Sequence, residues 1–226
     1  MIRSIFTLFV VLFIDQALKI YIKLNFHFGE SVPIIKGFFE LNFIENPGMA
    51  FGWELPFGDG KIILTLFRIV AVFVIAFYLK RVIKEGQHKG FVTCVSMVLA
   101  GAIGNIIDSA IYGKLFTGSS NHNTATWANG LEHKPYGEFL KGDVVDMLHF
   151  TLKWPEWTHS MGLEGLVFPP VFNVADAAIS IGVIWILIRQ RTYFAKAKQQ
   201  NQSAETIEEK DQEFESTSAE TSTQSP

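Results

Sequence analysis

Phe91–Tyr112 reads FVTCVSMVLAGAIGNIIDSAIY, an apolar run that carries an amide and a carboxylate near its end. A helix crosses a bilayer with about 20 apolar residues, and this stretch is long enough. Gly101, Gly104, Asn105 and Asp108 recur three and four residues apart, which places them on one helical stripe. Glycines at that spacing let helices approach closely in lipid. Packing does not account for Asp108, because an unpartnered carboxylate at membrane depth is costly. The spacing therefore predicts a transmembrane helix whose polar stripe faces a partner.

Three more stretches have the same character: Ile5–Ile22, Ile62–Leu79 and Leu166–Ile188. Arg3 precedes the first as in a signal peptide, but Asp15, Gln16 and Lys19 interrupt it and no small-residue cleavage site follows, so a retained helix is expected. The composition agrees, with 49% hydrophobic residues, 21 Phe and only 18% charged residues, against about 25% charged in soluble domains. Lys80, Arg81, Lys84 and Lys89 lie between the second and third stretches, and Arg189, Arg191, Lys196 and Lys198 follow the fourth. With Arg3 they predict both termini in the cytoplasm. The two long loops, about Lys23–Lys61 and Gly113–Val167, then face outward.

The fold expected is an α-helical membrane protein of four transmembrane helices, with short strands of the first outer loop forming a small extracytoplasmic β-platform around Gly37–Ile44. The membrane domain would occupy 1–198. A polar insertion over 116–137 reads as a lid or a disordered excursion. The tail over 199–226 holds seven acidic residues and one lysine between Ala204 and Glu220 and reads as disordered. The single cysteine, Cys94, lies in an apolar run, which excludes a disulfide framework or thiolate cluster within one chain.

Chemistry points to carboxylates. Asp15 and Lys19, four apart, either form an ion pair that locks the first helix or act near a site. Asn46-Pro47-Gly48-Met49-Ala50-Phe51-Gly52 is a turn whose small residues permit close approach of a ligand. Asp146, in Gly142-Asp143-Val144-Val145-Asp146-Met147, ends the second outer loop. Phe172-Asn173-Val174-Ala175-Asp176 opens the fourth helix; Asn173 and Asp176 share a helical face there, and Asp176 lies about two turns into the apolar segment from its outer end. If Asp146 and Asp176 converge, one retains its proton, and the half-protonated pair can take a proton from water and give one to a carbonyl or leaving amine. No Gly-x-Ser-x-Gly elbow is present. His122, His133, His149 and His159 lack the helical spacing of a zinc peptidase. Neither a phosphate-cradling loop nor a basic nucleic-acid face is seen.

Taken in order, Asp15, Asn46–Phe51, Gly101–Asp108, Val144–Met147 and Phe172–Asp176 resemble the signature blocks of the bacterial lipoprotein signal peptidases, the type II signal peptidases. The resemblance spans about Asp15 to Arg191. It implies an aspartyl endopeptidase of the inner membrane that removes signal peptides from diacylglyceryl-modified prolipoproteins, cutting before the lipidated cysteine near the outer face. It implies Asp146 and Asp176 as the catalytic pair, with Asp15, Asn46, Gly48, Ala50, Phe51, Asn105, Asp108 and Asn173 as substrate-binding or supporting residues. The expected partners are the prolipoprotein and membrane lipids, with no nucleic acid, metal or cofactor, and the chain is expected to act as a monomer. Two departures stand out. Ser109 takes the place of the arginine that usually follows the third-helix aspartate, and the link from Gly113 to Asp143 is long. A small proton-coupled transporter or channel is the rival reading, since intramembrane Asp, Lys and Asn also suit an ion path; a presenilin-like protease is disfavoured by the lack of a Gly-x-Gly-Asp block.

Overall fold

The computed structural model describes residues 2–47, 60–162 and 164–193. The chain divides into two compact units, Met1–Ile184 and Trp185–Pro226. Of the second unit, only the helical run 185–193 is described. The account below concerns the first.

Three long apolar helices form its frame: α1 (Ile2–Asn25), α2 (Gly60–Lys84) and α3 (Lys89–Ile107). All three are long and apolar enough to cross a membrane. A fourth, closing helix begins at 174 and runs to the end of this unit. The burial pattern is that of a protein turned outward to lipid. Phe9, Phe13, Phe67, Phe73 and Phe77 are exposed, while Asp15, Lys19, Asn105, Asp108 and Asn173 are buried. In water that would be an aggregation hazard; in lipid it is the low-energy arrangement, because the polar groups satisfy one another inside the bundle.

The closing helix starts later than the apolar run suggests. Pro169 and Pro170 cannot continue a helix, and the chain forms a short strand at Val171–Phe172 before turning helical at residue 174. Asp176 therefore lies in the first turn of the helix, as its place in the block that opens it implies, although it is about two turns into the apolar segment. α3 departs from regularity too. It passes at Asp108–Tyr112 into a π-helical turn, then a short α-turn over Gly113–Leu115. Such wide turns break the helical ladder and are frequent at functional sites.

Both connections between helices at one end carry strands, so the sheet forms there. β1 (Ser31–Ile35), β2 (Phe39–Asn46), β3 (Val144–Phe150) and β4 (Val171–Phe172) pair antiparallel in the order β1-β2-β3-β4. Ile44 is opposite Asp146 and Asn46 opposite Val144, after a shift in register between Leu41 and Ile44. Leu148 pairs with Phe172, which delivers Asn173 and the closing helix beside β3. Phe150 stacks on Phe172 at 5.7 Å and meets Phe39 at 5.5 Å, so rings join the strands across one face.

The segment 116–137 is ordered and anchored at its base, unlike the disordered excursion that is one of the two expectations. Phe116 and Ala125 are fully buried in a core with Ile22, Phe26, Phe43, Tyr112, Val145 and Met147. The buried ammonium of Lys23 pairs with Glu45 and lies 4.6 Å from the Tyr136 ring centre. Backbone bonds close the base of the segment, from Tyr136 N to Phe116 O at 3.0 Å and from Gly137 N to Gly113 O at 2.9 Å. A cation held by a carboxylate and an aromatic face is a strong anchor when desolvated.

α3 and the closing helix touch through glycine. A methyl group at Gly101 would overlap the carbonyl oxygen of Ala175, which is backbone and cannot yield. Gly101→Ala should therefore push the helices apart at a cost of about 1–3 kcal/mol. Thermal melting in detergent should show the loss, accompanied by reduced activity as Asp176 leaves Asn105. Wild-type melting of Gly101→Ala would disprove so close a contact.

Candidate active site

Asp146 and Asp176 converge where the sheet meets the closing helix, and Asn173 joins them. Its side-chain Nδ2 donates to Asp146 Oδ1 at 2.6 Å. Its backbone N–H donates to Asp176 Oδ2 at 3.3 Å, and Asp176 N–H returns a bond to Asn173 Oδ1 at 2.9 Å. This is a capping box: a cap residue and the residue three further on satisfy each other's open backbone donors. The box also leaves the Asp176 carboxylate at the positive end of the helix dipole.

The amides are oriented by what lies behind them. Asn105 Nδ2 donates to Asp176 Oδ1 at 2.8 Å, and Asn105 Oδ1 accepts from Lys19 Nζ at 2.9 Å. Asn46 Nδ2 donates to Asp146 Oδ2 at 3.1 Å. Gly48, Ala50 and Phe51 lie outside the described residues.

Behind this layer sits a buried ionic one. Lys19 Nζ reaches Asp15 at 3.0 Å and Asp108 at 2.8 Å. With Asn105 these use all three ammonium donors. Asp15 has a second task, accepting at 2.8 Å from the Ala175 N–H, one of the open donors of the closing helix. The ion-pair and near-site readings of Asp15 thus describe one side chain in both positions. Asp108 finds its partners without a neighbouring arginine, in Lys19, in Gln16 Nε2 at 3.0 Å and in the Val145 N–H at 3.3 Å. The last bond fastens β3, and so Asp146, to the end of α3.

Burial pushes the Asp146 carboxyl up to about 7, and the nearby charge of Asp176 adds to the effect, against the opposing bonds from Asn46 and Asn173. A carboxyl in that condition keeps its proton near neutrality, where an ordinary aspartate would not.

Two further side chains, Gln16 and Arg68, join the site. Gln16 is held by Tyr112, whose hydroxyl donates to Oε1 at 3.1 Å, so its amide nitrogen faces Asp15 and Asp108. Arg68 enters from α2, with Nη1 donating to Ser109 Oγ at 3.2 Å. The signal for Arg68 is present: a guanidinium about two turns inside an apolar helix asks for carboxylates nearby.

Fold and site define a multi-pass membrane protein with two facing carboxylates, set where a small sheet meets a helix N-terminus. The family model for Signal peptidase (SPase) II matches residues 7–192, and the chain belongs to that family. It is 40% identical over 183 residues to the lipoprotein signal peptidase of Porphyromonas gingivalis, covering 79% of this chain and 78% of the relative. It is 33% identical over 204 residues to that of Amoebophilus asiaticus, covering 86% and 80%. A solved bacterial membrane enzyme shares the fold at a TM-score of 0.54 and 25% identity, over 83% of this chain and 91% of the other. The chain is thus an inner-membrane peptidase, and the transporter reading loses its support.

Proposed function

We propose that the chain is an intramembrane aspartyl endopeptidase that cuts diacylglyceryl-modified prolipoproteins immediately before the lipidated cysteine. The carrying observation is the double engagement of Asn173, which donates to Asp146 through its amide and to Asp176 through its backbone. In this reading the ionised carboxylate takes a proton from water as the water oxygen attacks the scissile carbonyl carbon. The protonated carboxyl gives its proton to the carbonyl oxygen. Collapse of the tetrahedral diol breaks the C–N bond: the proton gained from water passes to the leaving amine, and one diol hydroxyl returns its proton to the other carboxylate as the new carbonyl forms. Apolar helix faces would hold the substrate's acyl chains, and the sheet would cover the pair on the outer side. The test is the mass of the products released from a diacylglyceryl-modified precursor by purified protein. A cut elsewhere, or none, refutes the proposal.

One proton on the pair makes the reaction sensitive to base. A raised carboxyl keeps its proton below about 7 and loses it above, leaving two facing carboxylates and no acid. kcat/KM for precursor cleavage should therefore fall as pH rises through about 7. A rate still climbing a full unit above neutrality would rule out a shared proton.

The proposed orientation is checked separately. Reporters fused after Lys84 or Lys198 should read as cytoplasmic, and those placed within 38–57 or 117–137 as external. An external signal after Lys84 would put the pair on the wrong side for exported substrates.

A further inference from the structure

The first turn of α1 and the connection from α2 to α3 meet at the end of the bundle away from the sheet, and a cavity of about 560 Å³ lies between them. Ile2, Ile83 and Val92 give it an apolar wall, and Arg3 and Lys89, both exposed, bring two cations to it. None of the residues that line it is acidic. The neighbouring carboxylate, Glu85, is held by Arg81 at 2.6 Å. Lys89 is also the first residue of α3, so the positive end of a 19-residue helix dipole lies at the cavity.

Ser4 completes the wall. It is 3% exposed, and its hydroxyl is the one buried side-chain polar atom among the described residues that meets no hydrogen-bond partner. A serine inside a helix commonly donates to the carbonyl of the preceding turn, as Ser96 does to Val92 O at 2.8 Å and Ser109 to Asn105 O at 3.0 Å. Ser4 does not, and an orphan donor costs free energy unless a ligand accepts from it.

The place of the cavity narrows the chemistry of its ligand. α1, α2 and α3 are each long and apolar enough to cross a membrane, so their ends lie at headgroup depth. A free anion would meet the cations and leave the apolar wall bare; a lipid without net charge would cover the wall and leave the cations unmatched. We propose that the cavity binds an acidic glycerophospholipid, with its phosphate held by Arg3, Lys89 and the Ser4 hydroxyl and its glycerol and first methylenes packed on Ile2, Ile83 and Val92. The lipid ties the start of α1 to the α2–α3 connection, at the end of the bundle opposite the aspartate pair, and stabilises the folded chain by binding only to it. The site depends on the bundle crossing the membrane, and neither on the peptidase mechanism nor on which leaflet this end faces.

The experiment is thermal melting of full-length protein in non-ionic detergent at physiological ionic strength, titrated with phosphatidylglycerol, with phosphatidylcholine of the same acyl chains, and with inorganic phosphate. Phosphatidylglycerol should raise the wild-type midpoint saturably by several degrees, and the other two should barely move it at equal concentration. Equal stabilisation by phosphatidylcholine or by inorganic phosphate overturns the proposal, since the charge or the acyl chains would then go unread. Arg3→Gln/Lys89→Gln should weaken the apparent affinity for phosphatidylglycerol about tenfold or more. Lys80→Gln/Lys84→Gln removes two charges from the same end of the bundle without touching the cavity, and should leave the affinity within about twofold. Equal losses in the two double variants would mean general attraction to acidic lipid, and the site falls. Ser4→Ala should melt at or above wild type without lipid, because the orphan donor is gone, yet bind phosphatidylglycerol about three- to tenfold more weakly. If Arg3→Gln/Lys89→Gln does not accumulate, Ser4→Ala decides: weakened binding supports the proposal, and unchanged binding overturns it. Precursor cleavage plays no part in the readout, so the outcome stands apart from the aspartate reading.

Discussion

Asp146→Asn and Asp176→Asn should each lower cleavage of a diacylglyceryl-modified precursor by about a thousandfold or more, and the double substitution should cost little beyond either single one. Asparagine keeps the size of the side chain, so the sheet and capping box lose little. What it removes is the exchange of a proton. With Asp176 changed, no other group among the described residues of the cluster is placed to take a proton from water, because Lys19 and Arg68 are cations and Asp15 and Asp108 are engaged behind. With Asp146 changed, no group gives one to the carbonyl. Residues that act as a unit are lost as a unit, hence the lack of additivity. Binding should survive in both variants, since helices and loops supply those contacts. The measurement is single-turnover cleavage at matched amounts of folded protein, with substrate capture read separately. Near wild-type turnover by either single variant would end the aspartyl mechanism for this chain.

How much of this was visible beforehand depended on whether the determinant was local. Asn173 and Asp176 are three apart, and the capping box is that spacing made into hydrogen bonds. The stripe Gly101, Gly104, Asn105 and Asp108 announced close packing and a partner, and both are found, since Gly101 lies on Ala175 and Asp108 on Lys19. The block Phe172–Asp176 does open the closing helix, but the apolar run from Leu166 overstates its length, because Pro169 and Pro170 lack the N–H groups a helix needs. Segment 116–137 looked loose because its composition is polar and its anchor, Lys23 with Glu45 and Tyr136, comes from elements far apart in the chain. The loss of arginine at position 109 left Asp108 without a local partner on paper; only the packing of α1 and α2 against α3 brings Lys19 and Arg68 to that place.

Lys19→Met should be the most destabilising single change in the described part of the molecule. Methionine fills nearly the same volume, so the loss is of charge and donors, not of packing. Asp15 and Asp108 would then remain buried, at 1% and 0% exposure, with no cation between them. Breaking a buried pair by removing one partner costs about 3–5 kcal/mol, and here one ammonium serves two carboxylates and an amide. Gln16 would still donate to both aspartates and Ala175 N–H to Asp15, but neutral donors do not cancel two facing charges. The protein would respond by protonating one carboxylate or by admitting water between α1 and α3, and either route frees Asn105 from the orientation that serves Asp176. Detergent-solubilised Lys19→Met should melt well below wild type and yield little folded protein. Adding Asp108→Asn should recover much of the stability, because it removes the uncompensated charge, yet restore little activity, since the ammonium that fixes Asn105 is still missing. If Lys19→Met melts like wild type, Asp15 and Asp108 do not share that buried charge, and the layer behind the pair is held together in some other way.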